Sequence, residues 1–143
     1  SAPNVIANTV ELEGSVRSLD EDMRDLVQER LHQVAEGTAA ANQCDITIEY
    51  ERGYPITDNN EEATQHAISV ASSVSEVDTD TPPIMPSEDF AYMLMEKPGA
   101  FIFLGNGDSQ MLHNPEYIFD DEAIPFGSSW YAGMVEKRLP IKG

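Results

Sequence analysis

Five consecutive apolar residues, Ala100-Phe101-Ile102-Phe103-Leu104, constrain the fold of this 143-residue chain more than any other feature. A run without alternation has no face to offer to water. As a strand it must be covered on both sides, the situation of a central strand in an α/β sheet. Lys97-Pro98-Gly99 reads as the turn before it and Gly105-Asn106-Gly107-Asp108 as a flexible loop after it. Helices are expected around it. One runs from Asn60 to Val74, with Ala63, Ala67, Val70, Ala71 and Val74 on one side. A short one is capped by Ser87 and passes through Glu88, Asp89 and Phe90 to about Met95, where the two acids suit the positive end of its dipole. Asp120 caps the last, which turns Ala123, Phe126, Trp130 and Met134 inward and ends on Lys137 and Arg138.

The earlier part of the chain has a different texture. Ile6, Val10, Leu12 and Val16 share one parity, against Thr9, Glu11, Glu13 and Ser15, which predicts a strand over 4–17 with one buried face. Ser18-Leu19-Asp20-Glu21 has the form of a capping box and opens a helix to about Ala41, striped by Met23, Val27, Leu31 and Val34; Gly37 is expected to weaken or end its regular part. A second alternation, Cys44, Ile46, Ile48 and Tyr50, predicts another one-faced strand. Gly53-Tyr54-Pro55 and the polar joint Asp58-Asn59-Asn60 place a domain boundary near residue 57. Two strands and one helix seldom make a stable domain alone, so neighbouring chain is expected beyond these residues.

Charge narrows the choice of partner. The formal net charge is −18, so nucleic acid and anionic membrane surfaces are not expected partners, because both need an excess of Lys and Arg. One cysteine, Cys44, cannot form an internal disulfide, which suits a reducing, cytoplasmic setting, and its place in an apolar alternation gives it the role of a small buried hydrophobe.

Few residues stand out as candidates for chemistry. His32 and His66 fall within helices among polar neighbours and read as surface histidines. His113, in Leu112-His113-Asn114-Pro115, follows the apolar strand and its glycine-rich loop, beyond the carboxyl end of a strand, where open α/β sheets hold ligands. A neutral imidazole there suits Zn²⁺, Mn²⁺, Co²⁺ or Ni²⁺, although a lone loop histidine is more often incidental than a ligand. Glu88 and Asp89 are fully explained by helix capping, or form a pocket wall; spacing does not decide. Arg17 is suited to bidentate recognition of a carboxylate, but its commoner role is a surface ion pair. Asn4 is a strand-end residue or a ligand contact. No phosphate loop, His-Glu-x-x-His motif or nucleophile elbow is present.

Several short segments, taken in order, resemble the aminoacylase-like metal-dependent amidohydrolases, the group of hippurate and indoleacetyl-amino-acid hydrolases. They are Asn4-Val5-Ile6-Ala7, Leu12-Glu13-Gly14-Ser15-Val16-Arg17-Ser18, Arg52-Gly53-Tyr54-Pro55 and Met85-Pro86-Ser87-Glu88-Asp89-Phe90, then Pro98-Gly99 with the apolar run, Leu112-His113-Asn114-Pro115 and Phe119-Asp120-Asp121-Glu122-Ala123-Ile124-Pro125. The resemblance implies a two-domain α/β enzyme in which a smaller α+β lid, often a dimerisation surface, is inserted in a catalytic domain holding two divalent ions. Residues 1–57 would be the second half of the lid, and residues 58–143 the C-terminal part of the catalytic domain. It further implies that His113 is the last metal ligand, that Asn4 and Arg17 approach the substrate from the lid, and that Glu88 belongs to the wall of the site. Where the family usually has Gly, Pro86 fixes φ and removes a backbone donor.

The implied reaction is attack of metal-activated water on the amide of an N-acyl amino acid, with a Glu moving the proton. The family's other metal ligands and that Glu precede these segments, so this chain is expected to hold an incomplete site and to be inactive alone. It is also expected to self-associate through its unpaired strand edges. The alternative is a stand-alone dimerisation or ligand-binding module derived from the same fold.

Overall fold

The structure is a computed structural model and describes residues 4–140. The chain divides into two compact units, Ser1–Arg52 and Gly53–Gly143. No helix among the described residues is long and apolar enough to cross a membrane.

The first unit is built on one helix, α1, Glu21–Asn42. Its cap is Asp20, whose side chain accepts from the Met23 N–H at 2.6 Å, so the helix starts two residues later than a Ser18 cap would place it. A carboxylate facing the N-terminal N–H groups outcompetes a hydroxyl for this position because it also meets the positive end of the dipole. Gly37 does not stop the helix. Gln43 does, in the left-handed region at φ 55, with its N–H directed at Ala40 O and the Cys44 N–H at Ala39 O. This is the double bond pattern of a Schellman end, here without the usual glycine. The segment that follows runs back along the helix: the Tyr50 ring lies 6.1 Å from that of His32, and Arg52 pairs with Asp25.

The second unit holds α2, Glu61–Ala71, α3, Phe90–Glu96, and α4, Ile124–Arg138, the last entered through a 3₁₀ turn, Asp121–Ala123. Asn60 caps α2 through the Ala63 N–H at 3.0 Å. The helix ends at Ala71 rather than Val74, where the Ser72 and Ser73 hydroxyls fold back on the Ile68 and Val70 carbonyls at 2.9 and 2.7 Å. Its buried face, Ala67 and Val70, packs on α4. A Cβ on Gly133 would stand 2.8 Å from Val70 Cγ1, so only glycine permits this approach. The Trp130 indole N–H reaches Ala67 O at 3.2 Å, and Lys137 bonds to Ser69.

No strand forms among the described residues. The three segments expected as strands, 4–17, 44–51 and 100–104, carry the pattern of strands without a ladder. The α/β sheet anticipated from them is therefore not formed among the described residues. The reason is non-local: a strand exists only when a neighbour satisfies its backbone N–H and C=O groups, and alternation in one segment cannot supply that neighbour. Many of their apolar side chains stay in water; Ile6 is 95% exposed and Leu12 92%. Cys44, expected inside, is exposed as well.

The 100–104 run is the exception in being held. Asn59 exchanges two hydrogen bonds with the Phe101 backbone, Nδ2 donating to Phe101 O at 2.9 Å and Oδ1 accepting from Phe101 N at 2.7 Å. The side-chain amide thus reproduces one rung of an antiparallel ladder. The Asn60 N–H adds a bond to Gly99 O at 2.9 Å. Phe101 sits against Phe90 and Phe103, with ring centroids 5.7 and 5.3 Å apart.

Candidate functional site

The segment that leaves the apolar run carries the strongest candidate. Gly105-Asn106-Gly107-Asp108, expected to be a flexible loop, is fastened by Asn106. Its Nδ2 donates to Ile118 O at 2.8 Å and to Ser109 Oγ at 3.1 Å, while its Oδ1 accepts from Asp120 N at 2.8 Å. Gly107 follows at φ 73, a conformation glycine adopts without strain. Asp120 then caps the 3₁₀ turn through the Glu122 N–H at 2.9 Å; the sequence placed it on the last helix itself, whose own cap is Ala123.

Within this loop His113 is the one residue besides Gln43 that takes positive φ without being glycine, at 67, among the described residues. The Asn114 N–H bonds to Met111 O at 3.1 Å, so Met111–Asn114 is a β-turn with His113 at its third position. Positive φ at that position alone is the type II pattern, which glycine normally fills. An L residue there costs on the order of 1–2 kcal/mol. Asn114 closes a second turn, its carbonyl accepting from the Tyr117 N–H at 3.0 Å and its Oδ1 from the Glu116 N–H at 2.8 Å. The outcome is an exposed imidazole at the tip of two bonded turns.

The other predicted residues are dispersed. Glu88 lies half-buried just before α3, its carbonyl accepting from the Ala91 N–H at 3.2 Å. The cap position of α3 is Asp89, without a side-chain cap bond, so the helix begins at Phe90 and not at the Ser87 cap foreseen. Asn4 and Arg17 are exposed in the first unit. A groove of about 140 Å³ in the second unit, with His66, Trp130 and Arg138 among its lining, includes none of the four predicted site residues. His66, expected at the surface, is half-buried and stands 3.4 Å from Glu62.

Metal chemistry needs several donors converging on one point, three or four for a transition metal. No group of three or more His, Cys, Asp or Glu side chains able to hold an ion occurs among the described residues. His113 by itself does not fit a divalent ion. Two features escaped the sequence reading. The asparagine clamps, Asn59 and Asn106, gave only the signal of polar turn residues. The backbone of His113 gave none, because nothing in Leu-His-Asn-Pro marks the histidine as the left-handed position.

Comparison with known proteins places the chain. The model of peptidase family M20/M25/M40 matches residues 4–137. The chain is 34% identical over 139 residues to a hippurate hydrolase of Campylobacter jejuni, covering 95% of this chain and 36% of that protein. It is 33% identical over 138 residues to an N-acetyldiaminopimelate deacetylase of Pediococcus pentosaceus, again 95% and 36% of the two chains. A deacetylase of the same name from Streptococcus suis shares 38% over 125 residues, 86% of this chain and 33% of its own length. The chain thus spans about a third of the length of these curated relatives. No solved structure matches it. The match runs through the His113 loop and nearly the whole sequence, and on it the chain belongs to peptidase family M20/M25/M40.

Proposed function

We propose that this chain is the C-terminal part of a metal-dependent amidohydrolase that cleaves the amide bond of N-acyl amino acids, and that the chain alone is inactive. The observation that carries this reading is the family match across residues 4–137, joined to relatives whose names specify hydrolysis of hippurate and deacetylation of N-acetyldiaminopimelate. Both names point to an acyl group on an amino-acid nitrogen. In this reading His113 supplies one ligand to a divalent ion, Zn, Mn, Co or Ni, whose remaining ligands lie in other parts of the enzyme. Arg17 receives the substrate carboxylate, Asn4 approaches the same substrate, and Glu88 forms part of the wall.

The surface supports membership in a larger folding unit. The chain exposes 12322 Å², whereas two independent domains of these sizes would expose roughly 9,000 Å². The 4–17, 44–51 and 100–104 segments become strands once their sheet neighbours are present. Residues 1–57 are then the second half of the lid and residues 58–143 the end of the α/β catalytic domain; the division after Arg52 supports a boundary in that stretch. The exposed Met23, Leu26 and Val34 on α1 favour a homo-oligomer formed through the lid segment.

The test is made on the longer gene product. A reading frame continuing upstream of Ser1 and supplying further His, Glu and Asp or Cys ligands is expected. In that enzyme His113→Ala should lower kcat at least about 100-fold, since even the partners of metal ligands cost 10–100-fold when removed. Undiminished turnover by His113→Ala would refute the ligand assignment. Absence of any upstream frame would favour the stand-alone dimerisation or ligand-binding module, whose signature is concentration-dependent sedimentation lost on Leu26→Glu.

A further inference from the structure

We propose that Asn106 is the positioning residue of the His113 loop: its side-chain amide closes the neck of residues 107–119 and thereby sets where the His113 imidazole stands. The amide donates to Ile118 O and accepts from Asp120 N, both at 2.8 Å. Those two groups flank Phe119, and bonding to both is how one residue of a parallel ladder engages its neighbour strand. Asn106 therefore acts as a rung of sheet at a point where no strand pair exists. Aspartate would lose the donor, serine can offer one short group, and glutamine carries the amide one methylene too far.

The neck is where the loop's orientation is decided. His113 is seven residues from Asn106 and seven from Asp120, so it sits at the midpoint of the closed loop. The arms are stiffened by the consecutive turns at Met111–Asn114 and Asn114–Tyr117. What remains free in such a loop is its swing about the ends, and the amide bridges those ends. On the far side Asp120 caps the 3₁₀ turn Asp121–Ala123 through the Glu122 N–H, and that turn runs directly into α4, so the clamp refers the histidine to the entry of a helix. Asn106 itself is half-buried.

The bearing of this role on catalysis rests on His113 being a metal ligand; the experiment does not. The imidazole carbon–proton signals of His32, His66 and His113 are recorded by NMR at one fixed pH in the 143-residue chain and in Asn106→Ala, with amide hydrogen exchange across 107–120. The His113 signal is expected to move toward its unfolded-chain position and the Asp120, Tyr117 and Asn114 amides to exchange about tenfold faster, with His32 and His66 unmoved. Faster exchange with an unmoved His113 ring overturns the proposal, because a residue that only adds stability would give that result. Should the His66 signal also move, showing that the second unit has been lost, Asn106→Asp decides. It keeps the acceptor for Asp120 N–H, and a His113 shift smaller than for the alanine variant upholds the role, whereas none overturns it. Unimpaired turnover of the longer enzyme carrying His113→Ala would refute the ligand reading while leaving the clamp standing.

Discussion

The two units of this chain solve helix formation equally well and burial very differently. The helix of the first unit is the longest among the described residues, 22 residues, with an acidic side-chain cap at one end and a Schellman pattern at the other, yet it has no buried residue. In the second unit an 11-residue helix, α2, buries Ala67 and Val70, and Ala91 and Ala123 are buried elsewhere in the same unit. Capping and periodicity are local and complete within a segment. Burial needs a second surface, and α2 has one because Gly133 lets α4 come close. The stripe on α1 has the right spacing but is only partly covered: Met23, Leu31 and Val34 remain 37–59% exposed. An amphipathic pattern thus states a demand for a partner, and only the rest of the fold determines whether the partner is there.

Substitutions can break or sharpen that contrast. Gly133→Val should have the largest effect, because its side chain would collide with Val70; forcing the helices apart costs about 2–3 kcal/mol. Loss of amide protection should be confined to the second unit, and equal loss along α1 would mean that the two units are not separate in stability. Asn59→Ala removes both bonds to Phe101 and should cost about 1–2 kcal/mol, read as faster exchange of the Phe101 amide and a lower urea midpoint. Asp20→Ala tests the first unit by its strongest local device. Losing that cap should cost about 1 kcal/mol and fray the first turn of α1 in circular dichroism, with α2 and α4 protected as before. Arg52→Ala should have the smallest effect, below about 0.5 kcal/mol, since the pair with Asp25 is solvent-exposed.

How far each feature could be read in the sequence follows the same division. The helices were legible, and their errors are local competitions: Asp20 took the cap from Ser18, and the serines after Ala71 stopped α2 early. The alternations at 4–17 and 44–51 were legible as patterns, but strand formation depends on a neighbour that pairs with them, and among the described residues no such ladder forms. His113 was legible as the histidine following the apolar run. Its left-handed backbone was not, because φ there is imposed by the turn and by the closure of the loop rather than by its neighbours in sequence. Asn106 read as a turn residue, since the carbonyl and N–H it engages are 12 and 14 residues away and a side-chain amide carries no periodic signature.

The measurement that tests the central claim most directly is an assay of N-acyl amino acid hydrolysis by the pure 143-residue chain, with Zn²⁺, Mn²⁺, Co²⁺ or Ni²⁺ added and then chelated. The account predicts no turnover under any of these conditions, because no group of three or more side chains able to hold an ion occurs among the described residues. Hydrolysis that appears with metal and disappears with the chelator would contradict it, and would mean that this chain assembles a complete site from its own residues.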